Sequence, residues 1–193
     1  RGVVTYQGLG NLYWAEHSRP LMSAMIRDWR AQWGQGDFPI GLVQPAPFPC
    51  DNWPQLRNDA YSLQRESQLL ALDEFSNLGL APTMDIGDLD ELHFTNKQDV
   101  GKRMAHWALN TVYKQSAAYS APRYKSMTVE GDRIRIRFRD AKGGLTTSDG
   151  KPPSHFTIAG KNGPFQPAAA MIDGDSIVVY SPGISNPVAV RFA

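Results

Sequence analysis

The chain has 193 residues, 41% hydrophobic and 20% charged, with 17 glycines and 14 prolines spread along it. That composition excludes a disordered chain and allows one good core, or one core plus a smaller module. A formal net charge of +1 argues against nucleic acid or an anionic membrane as the main partner.

No apolar run approaches the roughly 20 residues that a membrane-spanning helix needs, so no membrane insertion is expected. Cys50 is the single cysteine, which excludes an internal disulfide. The chain starts at Arg1 directly before a strand-like run, GVVTY, and stops in another, PVAVRFA. It reads as a piece of a longer polypeptide.

Strand and helix signals alternate over roughly the first 115 residues. GVVTY (2–6) is a short buried-strand candidate. SRPLMSAMIRDWRAQWG then carries Leu21, Met22, Met25, Ile26, Trp29 and Trp33 at helical spacing, with Ser18 as the expected N-cap and Gly34 as the C-terminal stop. PIGLVQPAPF (39–48) reads as a second buried strand entering a proline-rich loop. WPQLRNDAYSLQRESQLLAL (53–72) reads as a helix, and LAPTMDI (80–86) as a third strand. Thr95 and Gln98 have capping-box spacing, which predicts a helix from just after His93 to about Tyr113 with Val100, Met104, Trp107 and Ala108 as its buried stripe. Strands alternating with helices indicate a parallel sheet covered by helices, with His93 on a loop at its carboxyl edge.

From about Tyr119 the period changes to two. In DRIRIRFRD, Ile134, Ile136 and Phe138 alternate with Arg133, Arg135, Arg137 and Arg139. HFTIAG, AAAMIDGDSIVVY with its DGD turn, and PVAVRF add further strands. The expected organisation is an α/β domain over 1–118 and a small antiparallel β-sandwich module over 119–193. The arginine face reads as a solvated or interdomain surface ahead of an anionic-glycan surface.

The chemistry-bearing candidates lie in two places. Asp90-Glu91-Leu92-His93 has D-x-x-H spacing, which lets a carboxylate fold back onto Nδ1 of the histidine, set its tautomer and stabilise the imidazolium. The alternative is a surface histidine beside a helix start, where acidic residues are favoured by the dipole. TYQGLGN (5–11) follows the first strand directly. Gln7 offers a side-chain amide, and Gly8 allows close approach to the backbone, as acyl transfer requires of an oxyanion site. A tight loop with no chemistry is the alternative there. His17, His106 and His155 lack carboxylates at useful spacing. Neither zinc-ligand spacing nor a phosphate-binding loop is present, so neither metal nor cofactor is expected.

In order, GVVTYQGLGN, IRDWRAQWGQGDFPIGLVQPAPF, LQRESQ and DIGDLDELHFTNKQDVGKRMAHWAL resemble blocks of the sialate O-acetylesterase and carbohydrate-esterase group of the SGNH hydrolases: "GVIWYQGESN", "WR…WG…FPF…VQLAPF", "REAQ" and "DIGD…IHP.NK..VG.RLA..AL". The β segment, with F-x-I-A-G and P-x-A-V-R-F, is also similar to that group's C-terminal module. The resemblance implies a three-layer α/β/α hydrolase sheet, here partial. It implies a carbohydrate O-acetylesterase that removes acetyl esters from sugars by a serine acyl-enzyme route without a cofactor, in an exported protein. His93 takes the general-base position. Asp90 takes the acid position, with Glu91 as the alternative acid, two residues before the histidine. Gln7, Gly8 and Asn11 fall in the oxyanion and substrate-binding block.

The sequence departs from that pattern in places. Thr5 replaces a tryptophan, Leu9-Gly10 a Glu-Ser pair, and Phe94 the proline after the histidine. The "GQSN"-like nucleophile block is not present. Ser18, Ser23, Ser62 and Ser67 fall in predicted helices or caps without a Gly-x-Ser elbow. The expected partners are therefore an acetylated carbohydrate and an N-terminal segment or separate chain of the same enzyme carrying the nucleophilic serine. A catalytically inactive relative that binds acetylated glycans is the alternative.

Overall fold

In the computed structural model, residues 2–49, 53, 55–116, 119, 121–141 and 143–192 are described; Arg1, Cys50 and Pro54, which enter the expectations above, lie outside them. The chain divides into two units, Arg1–Tyr119 and Ser120–Ala193.

The first unit is built on a parallel sheet of three short strands, β1 (Val3–Thr5), β2 (Ile40–Val43) and β3 (Leu78–Ala81), in the order β1-β2-β3. Val3 is opposite Ile40, and Ile40 opposite Leu78. Three helices accompany it: α1 (Ser18–Trp33), α2 (Ala60–Glu74) and α3 (Lys97–Trp107). Because side chains alternate along a strand, each strand supplies both faces. Ile40, Leu42 and Leu78 pack with Met22 and Ile26 of α1 and Ala71 of α2. Val43 and Ala81 pack with Met104 and Trp107 of α3 on the opposite face. Helices thus pack on both faces of these three strands. Burying a side chain such as Ile26 or Ile40 completely contributes about 1.5–3 kcal/mol.

Two glycines decide how α3 sits. A Cβ on Gly79 would lie 2.1 Å from Cδ2 of Trp107, and one on Gly41 would lie 2.6 Å from Sδ of Met104 and 3.5 Å from Cζ3 of Trp107. The indole therefore lies directly on the backbone of β2 and β3, which only strands without side chains at these positions permit.

Several local expectations shift. Helix α1 begins at Ser18, with His17 as its N-cap, so Ser18 is the first helical residue and caps nothing; Gly34 is left-handed (φ 60°) at the C-terminus as expected. The segment before α2 runs as turns to Asp59, so that helix starts at Ala60 and not at 53. Strand β3 lies at 78–81 and not 80–86, since residues 83–87 turn back on the Thr83 carbonyl. The cap of α3 is displaced by one residue. Asn96 accepts from the Asp99 amide and donates Nδ2 to the Asp99 carboxylate at 2.8 Å, replacing the predicted Thr95–Gln98 pair. A π-helical turn (Ala108–Val112) continues α3 to its cap at Tyr113. The stretch Leu9–His17 is 3-10 helical with a break at Trp14.

The second unit contains β4 (Arg123–Glu130), β5 (Arg133–Arg139), β6 (Phe156–Gly160), β7 (Gln166–Asp173), β8 (Ser176–Tyr180) and β9 (Pro187–Phe192), in one six-stranded antiparallel sheet of order β4-β5-β8-β7-β6-β9. β4 carries no regular alternation and was not among the predicted strands. In the antiparallel module expected here, β7 joins two halves into one continuous sheet. Its first residues pair with β6 (Ala168 with Phe156) and the rest with β8 (Ala169 with Tyr180). The sheet curls round one core of Ile134, Ile136, Phe156, Ile158, Ala170 and Val179.

The arginine face carries its own counter-charges. Arg135 donates to Glu130 and Asp173, both at 2.7 Å, which holds its guanidinium above its ordinary value, and Arg137 donates to Thr128 Oγ1 at 3.0 Å. Arg133 pairs with Asp132 and lies over the Tyr180 ring. Arg133 and Arg135 are thus both paired with carboxylates.

Gly79→Ala tests the seating of α3. Forcing a methyl into the indole is expected to cost about 1–3 kcal/mol in urea unfolding. Gly101→Ala, on the exposed side of the same helix with open space around it, is expected to stabilise by about 0.5–1 kcal/mol. Equal effects at the two positions would refute the close contact.

Candidate active site

The segments that leave β1 and β3 meet at the carboxyl edge of the sheet. Tyr6, one residue beyond β1, contacts Phe94 edge-on, with centroids 6.2 Å apart and rings inclined at 77°. Phe94 is almost wholly buried. The Lys97 ammonium lies 3.8 Å from the Phe94 ring centroid and 5.9 Å from that of Tyr6, and it also donates to the Phe94 carbonyl. The Ala46 amide donates to the Tyr6 hydroxyl at 3.4 Å. Gln7 follows Tyr6 and His93 precedes Phe94, so this aromatic contact holds the two candidate segments together. An edge-to-face pair of this kind contributes about 0.5–1.5 kcal/mol beyond its buried area.

The imidazole of His93 is open to solvent, its side chain 79% exposed. The carboxylate beside it belongs to Glu91, whose Oε1 lies 3.7 Å from Nδ1 and accepts from the His93 backbone amide at 2.8 Å. Asp90 is exposed, and its own amide is held by Asp88 Oδ1 at 2.9 Å. The structure thus brings Glu91 to His93, and it leaves the Asp90 carboxylate out of that contact. Gln7 is exposed; Gly8 is buried with φ 125°, and its carbonyl accepts from the half-buried Asn11 amide at 2.9 Å. A Cβ on Gly8 would come within 2.2 Å of Gln64 Nε2, so glycine is required twice over, by conformation and by space.

Behind Gly8 lie polar groups that the sequence reading missed. Gln64 and Gln68 of α2 are buried although both are amides. Gln68 Nε2 donates to the Val43 carbonyl at 3.2 Å, and Gln44 Nε2 donates to the Arg65 carbonyl at 3.3 Å. Thr83 Oγ1 donates to the Gln44 carbonyl at 2.8 Å, and Arg65 Nε to the Pro45 carbonyl at 3.0 Å. These bonds hold the chain as it leaves β2. The available signal was the i, i+4 placement of Gln64 and Gln68 on the face of α2 that also buries Ala60 and Ala71.

The loop bearing His93 is fastened to α3 by a fork. Arg103 donates to both carboxylate oxygens of Asp85, at 2.7 and 2.5 Å, and to the Pro82 carbonyl. The guanidinium hydrogen bond holds the Asp85 carboxyl below its usual range, and Asp85 in turn raises Arg103.

Ser18, Ser23, Ser62 and Ser67 sit on α1 and α2. Ser23 Oγ donates to Glu74 at 2.9 Å and Ser67 Oγ to the Leu63 carbonyl at 2.7 Å; Ser18 is buried and Ser62 is exposed on α2. His106 is exposed on α3, His17 is exposed just before α1, and the His155 ring bonds Ser154. Among the described residues, no three His, Cys, Asp or Glu side chains are grouped to hold a metal, and no helix is long and apolar enough to cross a membrane.

Comparison with solved structures gives a match to the crystal structure of a carbohydrate acetylesterase from Xanthomonas citri, with a TM-score of 0.90 and 37% sequence identity. The match covers 99% of this chain and 44% of that one, so the chain spans less than half the length of the solved enzyme. No family model and no curated protein matches. Likeness in both sequence and fold over nearly the whole chain supports kinship with the carbohydrate esterases.

The Asp85–Arg103 fork gives a pH test. A carboxyl held low contributes stability that is complete above its unfolded pKa of about 4 and is lost as the pH falls through the lower folded value. Arg103→Ala is expected to lower stability at neutral pH by about 1 kcal/mol or less, since the pair is partly exposed. That difference should shrink on acidification below about pH 4. A loss independent of pH would assign the role of Arg103 to the Pro82 carbonyl alone.

Proposed function

We propose that this chain forms the base-bearing part of a carbohydrate O-acetylesterase of the SGNH type, acting on acetylated sugars by a serine acyl-enzyme route. The observation that carries the proposal is the Tyr6–Phe94 contact, which joins the segment bearing Gln7 to the segment bearing His93 at the carboxyl edge of a parallel sheet. Open α/β sheets keep their ligands at that edge. The likeness to the Xanthomonas citri carbohydrate acetylesterase supports the reaction class. Sialate as the sugar rests on the sequence resemblance alone.

In the proposed reaction, Nε2 of His93 takes the proton of a serine hydroxyl as its oxygen attacks the acetyl carbonyl. The Glu91 carboxylate, 3.7 Å from Nδ1, stabilises the imidazolium, with Asp90 as the alternative acid. The negative charge on the former carbonyl oxygen receives the Gln7 side-chain amide as a donor, with Gly8 and Asn11 shaping that loop. Collapse of the tetrahedral intermediate passes the proton from His93 to the departing sugar oxygen. Water activated by the same histidine then releases acetate and regenerates the serine. That serine belongs to a further polypeptide segment. Ser18, Ser23, Ser62 and Ser67 sit in helices without a Gly-x-Ser elbow, which supports this assignment.

In the complete enzyme, His93→Ala is expected to lower kcat by about 10³-fold or more and to prevent labelling of the serine by a fluorophosphonate. A folded variant keeping over a tenth of the activity would remove His93 from the mechanism. Glu91→Gln should be more damaging than Asp90→Asn; the reverse ranking would return the acid role to Asp90. Retention of acetylated glycans by the wild type with no labelling would favour the inactive binding relative instead.

Gln7→Ala is expected to reduce kcat by about 10²–10³ with little change in KM, the pattern of a donor used mainly in the transition state. An effect confined to KM would make Gln7 a substrate-binding residue.

A further inference from the structure

An apolar recess of about 240 Å³ opens where the continuations of the two candidate segments meet. Leu9, Gly10, Leu12 and Tyr13, which follow Gln7 and Gly8 in the chain, line it. So does Leu92, the residue before His93, and the turns ahead of α2 add Trp53 and Leu56. These walls are held in place. Leu12 and Leu56 belong to a core cluster with Ala15, Ala60 and Tyr61, against which Leu9 and Trp53 pack. The Trp53 ring also meets Phe48, with centroids 5.4 Å apart. Arg57 pairs with Glu16 at 3.9 Å, which ties the turns before α2 to the 3-10 stretch.

Three features separate this recess from a fault in core packing. Aromatic surface stands open beside it: Tyr13 is 44% exposed, and Trp14, whose ring centroid lies 6.1 Å from that of Tyr13, is 61% exposed. Apolar surface left in water around a concave site is a common mark of ligand binding. Gly10 keeps the space clear. A Cβ there would meet nothing within 4 Å, and its backbone lies outside the positive-φ region, so neither crowding nor conformation demands glycine. Among the described residues, no charged side chain lines the recess.

We infer that this recess is the subsite for the sugar ring of the departing alcohol, and that it takes a neutral pyranose with equatorial substituents. The inference rests on the proposed function and adds which part of the substrate binds here and of what kind. In that reaction His93 returns its proton to the sugar oxygen, so the sugar lies on the His93 side of the scissile bond, which Leu92 adjoins. An acetyl group needs room for one methyl only. A cavity of about 240 Å³ exceeds that, and it falls below the roughly 300–1,000 Å³ of sites for drug-sized ligands, which suits a single ring. A pyranose with equatorial substituents presents axial C–H bonds on both faces. Those weakly positive hydrogens sit favourably on the negative faces of tyrosine and tryptophan. The hydroxyls at the ring's edge stay in water. An anionic sugar such as a sialic acid would bring a carboxylate to an apolar lining with no cation to pair it, which is costly.

Two variants of the complete natural polypeptide test the subsite: Gly10→Phe fills the recess, and Tyr13→Ala removes its exposed wall. The readouts are kcat/KM for methyl tetra-O-acetyl-β-D-glucopyranoside and for methyl acetate, whose alcohol has no ring. Saturation-transfer NMR of the free glycoside, methyl β-D-glucopyranoside, reports binding without chemistry. Each variant is expected to lower kcat/KM for the glucoside about tenfold or more, mainly through KM, and to change methyl acetate hydrolysis by less than about twofold. Transfer to the pyranose C–H protons is expected in the wild type and should be lost in Gly10→Phe. The wild type should also prefer the neutral ester to O-acetylated N-acetylneuraminic acid by about tenfold or more. Equal losses on both esters would make the recess structural and overturn the inference. So would a preference for the charged sugar, or no transfer in the wild type. Sugar contact that Gly10→Phe abolishes, in a protein that hydrolyses no ester, would leave the subsite standing and defeat the esterase reading. Hydrolysis of the glucoside with unchanged kinetics in both variants would do the opposite.

Discussion

Trp107 can lie flat on the sheet because Gly41 and Gly79 present only backbone beneath it, and the rest of the first unit follows from that contact. It sets the distance between α3 and the sheet. The position of α3 sets where Arg103 reaches for Asp85 and where Lys97 meets Phe94. Those two attachments hold the two ends of the loop containing Glu91 and His93. A histidine on a long exposed loop would otherwise sample many positions, and pre-organisation is worth most where reacting groups must meet within a few tenths of an ångström.

The site combines a rigid base with an exposed tip. Tyr6, Phe94 and Met104 are packed, carbonyls leaving β2 are bonded to α2 side chains, and the His93 imidazole, the Glu91 carboxylate and Gln7 are exposed. This suits a proposed chemistry in which substrate and nucleophile both arrive from outside the described surface. Phe94, which replaces the proline of the related blocks, does more than fill space. Its ring links the β1 segment to the α3 segment and carries the Lys97 ammonium on its face.

Much of this was legible in the sequence. The period-3.6 stripes of α1 and α3, the near-continuous apolar runs of β2 and β3, and the alternation in β5 each followed from side-chain geometry. What escaped was set by contacts distant in sequence. Glycine in IGLV and LGLA gives no sign that one indole will lie across both. The cap moved from Thr95–Gln98 to Asn96–Asp99 because both pairs have workable chemistry and tertiary position chose between them. D-x-x-H spacing did not reveal that Glu91 would be the carboxylate beside Nδ1, since a loop can turn either acid inward. β4, with exposed Tyr124, Met127 and Val129, lacks the alternation by which a half-buried strand is recognised.

The way β7 changes partners has a consequence for how the second unit assembles. The hairpins β4–β5 and β7–β8 close through tight turns at Gly131 and Gly174, both with positive φ, so their contacts are local and cheap in chain entropy. The pairings β5–β8 and β6–β9 join residues far apart in the chain, such as Ile136 with Ile177 and Phe156 with Phe192. Local hairpins can therefore form first, and the rate of reaching the curled sheet is governed by the later search that brings β5 to β8 and β9 to β6. Because β7 belongs to both halves, its first three residues cannot find β6 until the hairpin that contains it is oriented.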